Sequence, residues 1–308
     1  MIIDGHTDVL YALIRQQRKF SEESENGHVD LPRLKKGNVL ATFLAVYPAV
    51  SNYVLSKGVD DWFKLVNATE NELFQIKKVK DLDKCMKENK IGAILHFEGS
   101  GGIDSEFHNL RNYYRLGLRS MGLSWSNLNR FATGVGQNPE RGLTAEGREL
   151  VKEMESLGII VDVSHLNEKS FWDVIEIASK PIIASHSNAF SLCNHIRNLK
   201  DEQIEAIKDN NGTIGVNFVK SFLVSDVKKN EITLETIKNH IDKIVELAGI
   251  NHVSFGSDFD GASIPDVVKD VSYFPKLLKY LDENGYSKEE LGKISEENYK
   301  RVMKTVWK

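Results

Sequence analysis

Eight short runs of apolar, β-branched residues recur along the chain, and this repetition limits the fold more than any other feature. They occupy residues 1–8, 38–47, 91–98, 118–125, 158–165, 181–186, 213–218 and 252–258. Most are separated by longer, charged stretches of helical period. In 145–157, Leu150, Val151, Met154 and Leu157 fall at helical spacing, and in 234–247 Ile237, Ile241, Ile244, Val245 and Leu247 do the same. Thr144 and Thr233 precede these stretches and suit helix N-caps. Buried strands alternating with helices form parallel strand–helix–strand units. Eight of them in 308 residues fit an α/β fold closed into a (β/α)8 TIM barrel better than an open doubly wound sheet. At about 150 residues per domain the length would allow two, but no linker, repeat or low-complexity tract divides the chain. The expectation is one barrel domain over 1–308. Irregular insertions around 15–34 and 52–79 read as active-site lids or a small added element.

Charge and hydropathy narrow the function. Lys and Arg number 40 against 44 Asp and Glu, a net charge of −4, so no broad basic face exists to grip a nucleic acid backbone. No run approaches the ~18 apolar residues of a membrane helix, and the first residues lack a signal-peptide pattern. A cytoplasmic protein with no membrane partner is expected. Cys85 and Cys193 read as free thiols of a reducing compartment.

Ligand-type residues gather where such a barrel keeps its chemistry, at the C-terminal ends of the strands. The first run ends His6-Thr7-Asp8, the third His96-Phe97-Glu98, the fifth Asp162-Val163-Ser164-His165, the sixth Ser185-His186 and the eighth Ser257-Asp258-Phe259-Asp260. Residues two apart on a strand share a side, so His6 and Asp8 can reach one point. Buried carboxylates need compensation, and a cation is the natural one. His6, Asp8, His165 and His186 supply two ligands to each of two ions, with Glu98 as the bridge. Imidazole with carboxylate suits Zn2+, with Mn2+, Co2+ or Ni2+ as substitutes. His96 reads as orienting Glu98 from two residues below, and Asp4 stands in the same relation to His6. Arg197 offers either a two-pronged grip for a substrate carboxylate or a surface salt bridge. Asp258 is the candidate acid/base, with Asp260 competing for the role.

Taken together, Asp4-Gly5-His6-Thr7-Asp8, His96-Phe97-Glu98-Gly99, Asp162-Val163-Ser164-His165, Ser185-His186-Ser187-Asn188-Ala189, His195-Ile196-Arg197-Asn198 and Gly256-Ser257-Asp258-Phe259-Asp260-Gly261 resemble the membrane (renal) dipeptidase family of metallopeptidases. The resemblance implies a binuclear zinc barrel with His6 and Asp8 on one ion, His165 and His186 on the other, and Glu98 shared. It further implies that Arg197 holds the C-terminal carboxylate of a free dipeptide. Asp258 would serve proton transfer and the amino end. Tolerance for a D-residue in the second position and a homodimer also follow from it. Some members carry a histidine after the fourth strand that contacts the reacting oxygen; here Trp125 stands in the corresponding stretch.

These residues together predict a metal-dependent dipeptidase in which two dications acidify a water that attacks the peptide bond. Two other readings compete. Trp125 allows a substrate shift to another small amide, a lactam or an N-acyl amino acid. A catalytically silent barrel would have lost a ligand.

Overall fold

The computed structural model describes every residue from Met1 to Lys308. Nine parallel strands follow the chain: β1 (Ile2–Thr7), β2 (Val39–Val46), β3 (Leu73–Gln75), β4 (Ile91–Phe97), β5 (Leu118–Gly122), β6 (Ile160–Asp162), β7 (Ile183–Ala184), β8 (Thr213–Val216) and β9 (Val253–Phe255). Eight of them close a barrel. β2 pairs directly with β4, from Ala41 opposite Gly92 to Val46 opposite Phe97, and the ring returns through β9 to β1, where Asp4 lies opposite Phe255. Each barrel strand lies within one of the eight sequence runs. The ninth strand, β3, pairs only with the first half of β4, from Leu73 opposite Ile91 to Gln75 opposite Ala93. Every barrel-strand residue is buried, because one face meets the barrel interior and the other the surrounding helices. That is why the runs lack polar alternation.

The stretch around 52–79 differs from the irregular insertion expected. It opens with a seventeen-residue helix, Asn52–Ala68, capped by the Ser51 side chain accepting from the Val54 amide. Leu55, Val59, Trp62 and Val66 are its buried stripe and recur at helical spacing. Asp60-Asp61 interrupt that pattern in the linear sequence but belong to other sides of the helix, whereas Gly58 lies on the packed side, where a Cβ would collide with Val46 of β2. The stretch around 15–34 is partly regular: Val9–Gln16 is helical directly after β1, and Asp30 caps the helix Leu31–Lys36.

One end of the barrel is shut by the chain's own C-terminus. The helix Asn298–Val306 packs Tyr299, Val302, Met303 and Val306 against Phe43, Ile94, Ile160 and Ile183 of the strands. Trp307 donates to the Arg119 carbonyl near the start of β5, at 3.2 Å. The Tyr299 hydroxyl reaches the Ser185 carbonyl at 3.3 Å. Room for these groups comes from Gly5, where a Cβ would collide with the Tyr299 hydroxyl, and Gly256, where it would collide with the Ser185 carbonyl. Both cysteines are buried and unpaired. No helix is long and apolar enough to cross a membrane.

If the helix Asn52–Ala68 is a structural wall rather than a mobile lid, its buried stripe supports the whole fold. Trp62, fully buried, should cost about 3–5 kcal/mol on replacement by alanine in urea denaturation. Tyr53→Ala, on the exposed side of the same helix, should stay within about 0.5 kcal/mol of wild type.

Candidate active site

Six of the sequence-predicted residues converge at the open end of the barrel. His6 lies near the end of β1. Asp8 occupies the N-cap position of the next helix, yet its side chain makes no capping bond; it turns toward His6 instead, with Oδ2 3.5 Å from His6 Nε2. Glu98, one residue past β4, places Oε1 3.0 Å from His165 Nε2, 3.7 Å from His6 Nε2 and 3.8 Å from His186 Nε2. The donor atoms of His6, Glu98 and His186 form one group lying within 4.8 Å of one another, and those of His6, Asp8 and Asp258 form a second. His6 belongs to both and stands between them.

These donors fit a cation. Three imidazole nitrogens converge on one carboxylate oxygen, and both ring nitrogens of His6 and Oδ1 of Asp8 are buried without a hydrogen-bond partner. The Ser185 hydroxyl donates to Asp162 at 2.6 Å, so it must accept from His186 Nδ1 at 2.7 Å. A hydroxyl has one proton to give. His186 therefore carries its proton on Nδ1 and aims the Nε2 lone pair into the site, where His165 Nε2 faces it at 2.8 Å. The Ser126 hydroxyl engages His165 on its other nitrogen at 2.8 Å. Outer hydrogen bonds of this kind select the tautomer of a metal-binding histidine.

Protonation follows from burial and crowded charge. Burial raises Glu98 well above the usual carboxylate range, and Asp8 beside it adds to the rise. Burial alone would depress His6, but Glu98 and Asp8 prevail and push it up to about 10. His165 and His186 are driven well below the ordinary histidine value by burial, with Arg197 and His6 adding to it. Burial pushes Asp258 up to about 6. Of the three site carboxylates, Glu98 and Asp258 lie in the field of the buried Arg197 guanidinium.

Backbone and side-chain braces hold this arrangement. His165 and Asp258 adopt left-handed backbone, at φ 70° and φ 61°, which is costly for residues other than glycine. The His165 carbonyl accepts from Val135 at 2.8 Å, and the Asn217 side chain donates to Asp258 at 2.9 Å. Asp4 on β1 accepts from the amide and hydroxyl of Ser257, at 2.8 and 2.6 Å. Asp162 on β6 does the same for Ser185, at 2.9 and 2.6 Å. Each serine immediately precedes a site residue, Asp258 or His186, so each brace sets a strand end. Ser185, Ser257, Asn217 and Ser126 were not singled out by sequence reasoning. The serines preceding candidate ligands were the available signal.

Two expectations resolve. His96 does not orient Glu98: its Nε2 lies 3.7 Å from Asp162, and neither ring nitrogen is hydrogen-bonded. Residues two apart on a strand are separated by roughly 6–7 Å, and the Glu98 carboxylate turns away toward His6 and His165. Asp260 leaves the site altogether, bound by Arg18 and by the His28 amide. Arg197 is buried, with Nε unpartnered and one terminal nitrogen 3.3 Å from the His186 carbonyl. Trp125 borders the site, 5.7 Å from the His165 ring and 5.2 Å from that of Tyr47.

A family model described as membrane dipeptidase, peptidase family M19, matches residues 1–308. The chain belongs to the membrane dipeptidase family. An uncharacterised dipeptidase of Schizosaccharomyces pombe is 32% identical over 98% of this chain and 80% of its own length. Dipeptidase TcpJ of Claviceps purpurea is 30% identical over 98% and 76%. A metallopeptidase of Rhodobacter sphaeroides, solved with a phosphinate mimic of the dipeptide L-Ala-D-Ala, is 30% identical and superposes with a TM-score of 0.93 over 99% of both chains. For this M19 dipeptidase the buried, mutually facing donors become intelligible as part of a metallopeptidase barrel.

The crowding of Asp8 and Glu98 makes a further expectation specific. Zn2+ at one hundred times its Kd should raise the unfolding free energy by about 2.7 kcal/mol, read as a thermal shift. Glu98→Gln should abolish that shift without lowering the stability of the chelated protein, since it removes a buried negative charge.

Proposed function

We propose that this M19 dipeptidase hydrolyses free dipeptides at a site built for two metal ions, His6 and Asp8 serving one, His165 and His186 the other, and Glu98 both. The convergence of three imidazole nitrogens on one Glu98 oxygen carries this reading. When bound, such ions polarise the scissile carbonyl and lower the pKa of a water to about 7. Zn2+ suits the donors, and Mn2+, Co2+ or Ni2+ could replace it.

The chain's own groups supply position and proton transfer. Arg197 keeps an unpartnered Nε in a buried setting, which favours a planar, two-pronged grip on the substrate's terminal carboxylate. Anchoring that end excludes longer peptides, whose carboxylate would lie too far along. Asp258, held near 6 by burial, is matched to taking a proton from the attacking water at neutral pH and returning it to the departing amine. Asn217 keeps Asp258 aimed there by donating to Oδ2. Trp125, packed on Tyr47 and His165, walls the reacting centre where some relatives of this family carry a histidine, and restricts access of bulk water. The L-Ala-D-Ala mimic bound by the Rhodobacter sphaeroides relative supports including D-residues in the second position among the substrates.

Cleavage of unblocked dipeptides should disappear with a chelator and return with Zn2+; a diverse panel left intact by the metal-loaded protein would reject the proposal. Arg197→Met should lower kcat/KM for free dipeptides far more than for their C-terminal amides. Equal losses would remove Arg197 from carboxylate binding.

A further inference from the structure

Two cavities meet at His165. The larger, of about 480 Å3, contains Arg197. The smaller, of about 240 Å3, contains Asp8, Glu98 and Asp258 and is walled by Tyr11, Arg15 and Tyr47. With a dipeptide's carboxylate at Arg197 and its amino end at Asp258, the first residue occupies the smaller cavity, and its side chain meets the wall that Arg15 supplies. The inference rests on the dipeptidase reading above.

Arg15 differs from the other arginines here in being uncommitted. Arg18, three residues on, is consumed by Asp260 and the Val29 carbonyl, with 4% of its side chain exposed. Arg197 is buried deep at the other cavity. Arg15 sits in the last turn of the helix after β1, has no carboxylate within salt-bridge distance, and rests over the Tyr11 ring at 6.0 Å. The Tyr11 and Tyr47 rings pack edge to face at 5.3 Å and form a low-dielectric flank beside it. The cavity's own carboxylates, Asp8, Glu98 and Asp258, lie at the candidate metal ligands and not on Arg15.

The geometry points to Arg15 as a specificity-determining residue that selects dipeptides with an acidic first residue. A glutamate or aspartate side chain there finds a guanidinium that has no other partner, whereas a lysine meets like charge. The exposed setting keeps the effect modest and salt-dependent.

The test compares Glu-Ala with its uncharged isostere Gln-Ala on the Zn2+-loaded protein at low salt. The wild-type kcat/KM ratio should favour Glu-Ala by about fivefold, the upper range for a solvent-facing ion pair. It should shrink with added salt, collapse toward one in Arg15→Gln, and fall below one in Arg15→Glu, which should favour Lys-Ala instead. The Ala-Glu to Ala-Gln ratio should not follow the same variants. A wild-type ratio near one, or a preference that survives Arg15→Gln, overturns the assignment while leaving dipeptide cleavage intact. Failure to cleave any dipeptide, Ala-Ala included, removes the dipeptidase reading and this inference with it.

Discussion

Three carboxylates and three imidazoles buried at one barrel mouth are the constraint on which the rest of the structure depends. Asp8, Glu98 and Asp258 are all at most 8% exposed, and beside them stand the buried guanidinium of Arg197 and His6, which their charge pushes up to about 10. Burying uncompensated carboxylates is expensive, so a protein tolerates this arrangement when the excess is cancelled by ligands it is built to receive. Local preferences yield to it. Asp8 gives up an available helix cap, and His165 and Asp258 hold left-handed backbone. Strain of about 1–3 kcal/mol per residue is typical of such sites.

The barrel makes those concessions sustainable. Each strand is braced on both sides, and the Asp4–Ser257 and Asp162–Ser185 pairs lock two strand seams just beneath the donors. At the opposite end the C-terminal helix fills the interior with Tyr299. The glycines at positions 5 and 256 belong to this packing. They give the interior the space it needs close to the site, and in that way couple the plug to the positions of His6 and Asp258.

Much of the fold was legible, for a simple reason. A strand buried on both faces must be apolar along its length, so the barrel strands announce themselves as runs. The helix Asn52–Ala68 was less visible because its stripe of Leu55, Val59, Trp62 and Val66 is diluted by Gly58 and two aspartates. Linear order hides what a 3.6-residue period separates. Strand β3 is three residues long and carries no pattern of its own.

The candidate site divides along the same line. Sequence alone determined the candidates: His6, Asp8, Glu98, His165, His186 and Asp258 from ligand types at strand ends, which follow from the covalent order and the barrel's polarity, and Arg197 from its place in the short loop after the sixth run. Only the tertiary structure decided how they are used. It turned His96 to Asp162, gave Asp260 to Arg18, fixed the His186 tautomer through Ser185, and left Arg15 free beside the smaller cavity. Those outcomes depend on distances between residues far apart in the chain, on which strand neighbours which, and on where a single hydroxyl proton goes. None of these quantities is carried by residue order.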